Sequence, residues 1–161
     1  MADELPPDGS QNGLDNDAPR VQVVGQYIKD LSFENPGAAS NAATRPQIEL
    51  NVDLQARQVQ AEVFEVEMKL RVNAKAEDRP LFLLELVYGG MFQLHNIPDE
   101  VRQQVLLIEA PHIMFPFARR IVADVIRDGG MPPLMIEPID FSALFRAKAA
   151  QMAQQQPTAQ A

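Results

Sequence analysis

Apolar side chains recur at every second position through most of the first half of the chain, and at helical spacing through the second. IELNVDLQ (48–55) alternates without a break, Ile48, Leu50, Val52 and Leu54 against Glu49, Asn51, Asp53 and Gln55. FEVEMKLRVNAKA (64–76) repeats the pattern, with Phe64, Val66, Met68, Leu70 and Val72 set against Glu65, Glu67, Lys69 and Arg71. Successive side chains of a strand point to opposite faces, so this alternation predicts an antiparallel sheet buried on one face and solvated on the other. VQVVGQYIKDLSF (21–33) reads as the first strand, with Val21, Val23, Tyr27, Leu31 and Phe33 on one face and Ile28, Asp30 and Ser32 on the other. LFLLELVYGG (81–90) reads as the fourth, ending in a glycine pair that suits a strand bulge. Its two faces, Phe82, Leu84, Leu86 and Tyr88 against Leu81, Leu83, Glu85 and Val87, are both rich in apolar residues. One belongs to a core, and the other is available for contact.

The remainder is helical. In IPDEVRQQVLLIEAP (97–111), Pro98 suits a first turn, and Asp99 and Glu100 favour its positive end. A longer helix is predicted to start afresh at Pro111 and to stop at Gly129, with Met114, Phe117, Ile121, Val125 and Ile126 as its apolar stripe and Pro116 tolerated near its start. MPPLMIEP (131–138) reads as an extended connector. Asp140 then N-caps a short helix with Phe141, Leu144, Phe145 and Met152 along one side. The prediction is an α+β fold, a four-stranded antiparallel sheet with helices packed on one face.

Composition adds bounds. A chain of 161 residues, 46% hydrophobic, is one domain's worth with a real core. No apolar run approaches the roughly 18 residues of a membrane span, and MADELPPDGSQNG lacks the basic and apolar regions of a signal peptide. Residues 1–19 read as a disordered acidic arm, 20–153 as the folded domain and 154–161 as a flexible Gln-rich tail. Net charge is −8, but Asp3, Glu4, Asp8, Asp15 and Asp17 precede the first basic residue and leave −3 for the rest. Nucleic acid is not a fitting partner, because no basic stripe exists to neutralise phosphates. The lack of cysteine excludes disulfides and thiolate chemistry and fits a reducing cytoplasm.

Catalytic inventory is thin. His95 and His112 have no second ligand at metal-site spacing, and no GxSxG, HExxH or phosphate-cradling loop occurs. Glu65 and Glu67 lie two apart and could mimic a carboxylate pair; a solvated sheet face is the plainer reading. No enzyme, metal or cofactor is predicted. What remains is surface: Asp30, Glu34, Glu49, Asp53, Glu65, Glu67 and Glu85 would form an acidic sheet face with Leu83 and Val87 as an apolar island. Such a face suits a basic, partly hydrophobic partner. The fourth strand and the long helix are apolar nearly all round, which predicts burial against further copies of the chain in a symmetric oligomer.

Four stretches, YIKDLSFENP (27–36), LFLLELVYGGMF (81–92), APHIMFPFARR (110–120) and GGMPPLMIEPIDFSALF (129–145), resemble the SecB family of protein-export chaperones in the same order. The resemblance implies a homotetramer, built as a dimer of dimers. It implies an ATP-independent chaperone that binds unfolded secretory precursors in the cytoplasm and delivers them to the export ATPase SecA, with no cofactor. SecA docking through its basic zinc-binding tail would fall on Asp30, Glu34, Leu83 and Glu85, and the zinc would belong to SecA. Leu84, Leu86 and Tyr88 match positions that influence tetramer assembly. Apolar grooves for precursor would be lined by Phe33, Met91, Phe92, Leu134, Met135, Phe141, Leu144 and Phe145. An alternative within the same fold is a SecB-like chaperone dedicated to one antitoxin client. An enzyme or small-ligand carrier is the third reading, and the sequence gives it no polar constellation.

Overall fold

The computed structural model describes residues 17–40 and 45–155; the expected acidic arm, apart from its last three residues, and most of the expected tail lie outside them. Four strands, β1 (Arg20–Glu34), β2 (Gln47–Gln60), β3 (Val63–Ala76) and β4 (Arg79–His95), form one antiparallel sheet in the order β1-β4-β3-β2. The β3–β4 turn is Glu77-Asp78, both at positive φ (49° and 62°), which matches the right-handed twist of a tight hairpin. The predicted strands are all present, and β2 and β4 run further than their alternation suggested. β4 continues straight through the glycine pair to His95, with Glu67 opposite Gly89 and Val66 opposite Gly90.

The bulges lie elsewhere. β1 carries two register irregularities against β4, between Val23 and Gly25 and between Ile28 and Asp30. Each inserted residue reverses the alternation, which corrects the expected faces of the first strand. Val21, Val23, Ile28, Leu31 and Phe33 pair with the even-numbered, helix-facing residues of β4, whereas Tyr27 crosses to the open face, opposite Gly89. The two glycines make room for rings. A Cβ on Gly89 would lie 2.6 Å from Cε2 of Tyr27, and one on Gly90 would lie 2.6 Å from Cε2 of Phe92 and 3.1 Å from Sδ of Met114.

The helices cover only the even face of the sheet, where Val66, Met68, Leu70 and Val72 of β3 and Leu84, Leu86 and Phe92 of β4 are buried. α1 (Asp99–Gln104) does not end before Pro111 as expected. It runs through a π-helical turn (Val105–Glu109) directly into α2 (Ala110–Asp128). A wider turn just before Pro111 relieves the clash that the proline ring would make with the preceding turn of a regular α-helix. α2 lies over β4 and β3 and buries Ala110, Pro111, Met114, Phe115, Ala118, Val122, Ala123 and Ile126. The predicted stripe is therefore turned: Met114 and Ile126 are in the core, while Phe117 is 47% exposed. Positive φ at the helix end belongs to Gly130 (85°) instead of Gly129. Residues 131–140 form a connector without helix or strand, and α3 (Phe141–Gln155) opens with the Ala143 amide donating to Oδ1 of Asp140 at 2.9 Å, the expected N-cap. α3 rests on the π-helical turn, and Lys148 donates to the Leu54 carbonyl of β2 at 2.8 Å.

Candidate partner and client surfaces

The open face of the sheet is organised in rows across the strands. Glu34 stands opposite Leu83, which faces Asn73; Ser32 stands opposite Glu85, which faces Arg71; Asp30 stands opposite Val87, which faces Lys69. The register thus brings Asp30, Glu34, Leu83 and Glu85 together on neighbouring strands, with Val87 between the acids. Asp30 and Glu34 are exposed, and Leu83 and Val87 are half-buried. The face is less uniformly acidic than expected, because Lys69 and Arg71 stand at its centre and Arg71 pairs with Glu85 at 3.5 Å. The uncompensated carboxylates are concentrated on β1, the edge strand.

Further along the same face, Glu65 departs from the solvated reading. It is 4% exposed and accepts hydrogen bonds from the Tyr27 hydroxyl, from Nζ of Lys29 at 3.0 Å and from Arg57 at 2.9 Å. Lys29 also pairs with Glu67. The hydrogen bond from Tyr27, with those from Lys29 and Arg57, holds the Glu65 carboxyl at about 2, below its ordinary 4.5, against burial, which acts the other way. Burial, together with the hydrogen bond to Glu65, pushes the Tyr27 hydroxyl up to about 12. Tyr27 donates to Oε2, and Lys29 and Arg57 both donate to Oε1, so the carboxylate is held by charged and hydroxyl donors from two other strands, β1 and β2. No cluster of metal-ligating residues occurs among the described residues. The sequence carried one signal for this site that periodicity ignores, a tyrosine and a lysine two apart on an edge strand.

The apolar side chains expected in the precursor groove fall in five places. Leu134 lines a cavity of about 460 Å³ with Ile48, Leu81, Phe82, Ile126 and Met131, under the loop at Gly37–Ser40. Phe33 stands beside that cavity, its ring 5.8 Å from that of Phe82 and closing over Gly129, where a Cβ would lie 2.6 Å away. Asn35 donates to the Gly129 carbonyl at 2.8 Å and completes this clamp. Leu144 and Phe145 line a second depression between α3 and the edge of β2, with Val52, Leu54, Leu107 and Lys148, and Phe145 continues into an adjoining hollow beside Met152. Met135 is 63% exposed on the connector. Phe92 and Phe141 are instead interior: Phe92 is fully buried, and the buried Phe141 packs edge-on against His112 and Phe115. Met91 is on the open face, opposite Glu65, so it shares no groove with the others.

Leu84, Leu86 and Tyr88 are buried beneath the chain's own helices. The second face of β4, whose residues were expected to influence tetramer assembly, is thus part of this subunit's core. Apolar surface left uncovered on the helix side includes Val23, Ile28 and Leu31 of β1 and Ile113 and Phe117 of α2 at one edge, and Ile48 and Leu50 of β2 at the other. Arg120, one turn from Phe117, acts electrostatically on the Tyr88 hydroxyl, which bonds Gln26 of β1. This side of α2 therefore faces the β1 edge.

Comparison with known proteins agrees with this architecture. Residues 14–152 match the family described as preprotein translocase subunit SecB. The protein-export protein SecB of Azorhizobium caulinodans is 45% identical over 155 residues, covering 93% of this chain and 97% of the relative. That of Paramagnetospirillum magneticum is 49% identical, covering 87% and 92%. That of Zymomonas mobilis is 50% identical, covering 79% of each. Among solved structures, a Mycobacterium tuberculosis SecB-like chaperone in complex with a ChAD peptide from an antitoxin shares the fold, with a TM-score of 0.66 at 15% identity over 74% of this chain and 91% of that one. From the strand order, the helix-covered face and matches of this extent, the chain belongs to the SecB family of protein-export chaperones.

Proposed function

We propose that this chain works as an ATP-independent holdase that binds unfolded secretory precursors in the cytoplasm and passes them to SecA. The observation that carries the reading is the pair of open apolar depressions on the helix side. The larger is lined by leucine, methionine, phenylalanine and proline with little polar surface, and the one beside α3 sets Val52, Leu54, Leu107, Leu144 and Phe145 beside the Asp53–Lys148 ion pair. Unfolded chains display apolar side chains without order, and flexible methionines such as Met131 can repack around many of them. On this reading Phe33, Leu134, Leu144 and Phe145 contact precursor, and Phe92 and Phe141 support the groove from within.

Asp30, Glu34, Leu83 and Glu85 form the SecA-docking face in this proposal. Carboxylates on an edge strand beside a small apolar island suit the basic zinc-binding tail of SecA. Because docking face and grooves are on opposite sides of one sheet, a precursor and SecA can be held together. Subunits associate to a homotetramer through apolar surface near the β1 edge, including Ile28, Leu31 and Phe117. A long precursor then gains from many weak contacts along one wrapped chain.

Dilution of a slow-folding precursor from denaturant into the purified protein, without ATP, tests the reading. Recovery of the native precursor should be blocked near one tetramer per chain, and Asp30→Ala/Glu85→Ala should block it equally. Unhindered folding in the presence of the wild-type protein would overturn general chaperoning and leave a chaperone dedicated to one client, such as an antitoxin.

A further inference from the structure

The docking face depends on a single inserted residue. Ile28 pairs with Tyr88 and Asp30 with Val87, so Lys29 is the extra residue of a bulge, and it and Asp30 both point to the open face. Without the insertion, a β1 with Tyr27 on the open face would carry Leu31 and Phe33 there as well, and would turn Asp30 and Glu34 toward the helices. Among the described residues β1 is an edge strand paired with β4 alone, and its backbone ladder by itself specifies register weakly.

Side chains supply what the ladder lacks. The Tyr27 ring crosses β4 at the one place where it can, over Gly89, and its hydroxyl donates to Glu65 of β3. Lys29, on the other side of Ile28, reaches the same carboxylate at 3.0 Å. One buried group thus grips β1 both before and at the bulge, and Arg57 anchors that group from β2. We propose that Glu65 is a positioning residue: its grip on Tyr27 and Lys29 fixes the β1 bulge and thereby keeps Asp30 and Glu34 on the same face as Leu83 and Glu85. The proposal rests on the reading of that face as the SecA-docking surface.

The test uses the full-length chain, with a synthetic zinc-loaded peptide of the basic SecA tail as probe and amide hydrogen exchange of residues 28–34 as a second readout. Glu65→Gln should accelerate exchange in β1 and weaken peptide binding about fivefold, the scale of coupling between groups in one network. It should still block precursor refolding. Tyr27→Phe should act in the same direction and keeps the proposal testable should Glu65→Gln fail to fold. In an Asp30→Ala/Glu34→Ala background, Glu65→Gln should cost no further affinity, because it acts through those two residues. Unchanged exchange and affinity in both variants, or a full independent loss in the double-alanine background, overturns the positioning role and leaves the docking reading standing. Full peptide affinity in Asp30→Ala/Glu34→Ala alone sinks the docking reading, and this proposal with it.

Discussion

Glu65 is held as a carboxylate by its three donors, and its acid–base behaviour is set by them. Its folded-state pKa of about 2 lies below the ordinary 4.5, so its stabilisation is complete above that ordinary value and is lost as pH falls through the folded one. The contribution is on the order of 3 kcal/mol, because each unit of the fall from 4.5 to about 2 is worth about 1.4 kcal/mol. The wild-type protein should therefore lose stability between about pH 4.5 and 2, while Glu65→Gln starts lower at neutral pH and shows a flatter profile over that window. Urea midpoints across the acid range would show it; parallel profiles for the two proteins would contradict it. From sequence alone this residue reads as one more polar position in a clean alternation. Periodicity reports which face a side chain is on and is silent about what crosses that face, and only the absence of a side chain at Gly89 lets a distant tyrosine reach it.

The elements differ in how much of themselves they disclose. β2 and β3 were legible because each pairs in an almost unbroken register and keeps its alternation, although only β3 is buried along a whole face while β2 buries Leu54 and leaves Ile48 and Leu50 exposed. β1 was legible as a strand and misread in its faces, since a bulge inserts a residue without any composition of its own. The turn at Val105–Glu109 was hidden for a related reason: Pro111 signals a broken helix, and a π-helical turn lets the helix pass it. The end of α2 is fixed by contact as much as by its own sequence. Gly129 lies under the Phe33 ring and accepts from Asn35, tying the helix terminus to the end of β1. Gly129→Ala should open this clamp and cost about 1–3 kcal/mol, as overpacking does. Thermal melting would measure the loss, and faster exchange of amides 33–35 would locate it; an unaltered melting temperature would show that the ring simply yields.

For the whole molecule, the sheet separates an open face carrying Asp30, Glu34, Leu83 and Glu85 from a helix-covered face, and the helices leave part of the second uncovered. Phe117 is 47% exposed, and Ile28 and Leu31 are exposed beside the same edge. Apolar surface of this kind on a folded chain marks an interface. Phe117→Asp should shift the protein to smaller species in sedimentation while far-UV circular dichroism stays unchanged, and refolding of long precursors should be blocked less well than that of short ones. An intact assembly in this variant would place the subunit contact elsewhere. The architecture was legible from alternation and helix periodicity together. The division of apolar residues into groove, core and interface was not, because all three have the same composition and differ only in what covers them.

The strand order has a consequence for how the protein comes into being. Among the described residues β1, 15 residues long, pairs with β4 alone, and no part of β4 exists until residue 79 has been made. Throughout synthesis of β2 and β3 the first strand, with Val23, Val24, Ile28 and Leu31 along it, must wait unpaired at the ribosome. During its own birth each subunit thus presents the kind of extended apolar segment that its family protects in others, and subunits already folded are available to shelter the next.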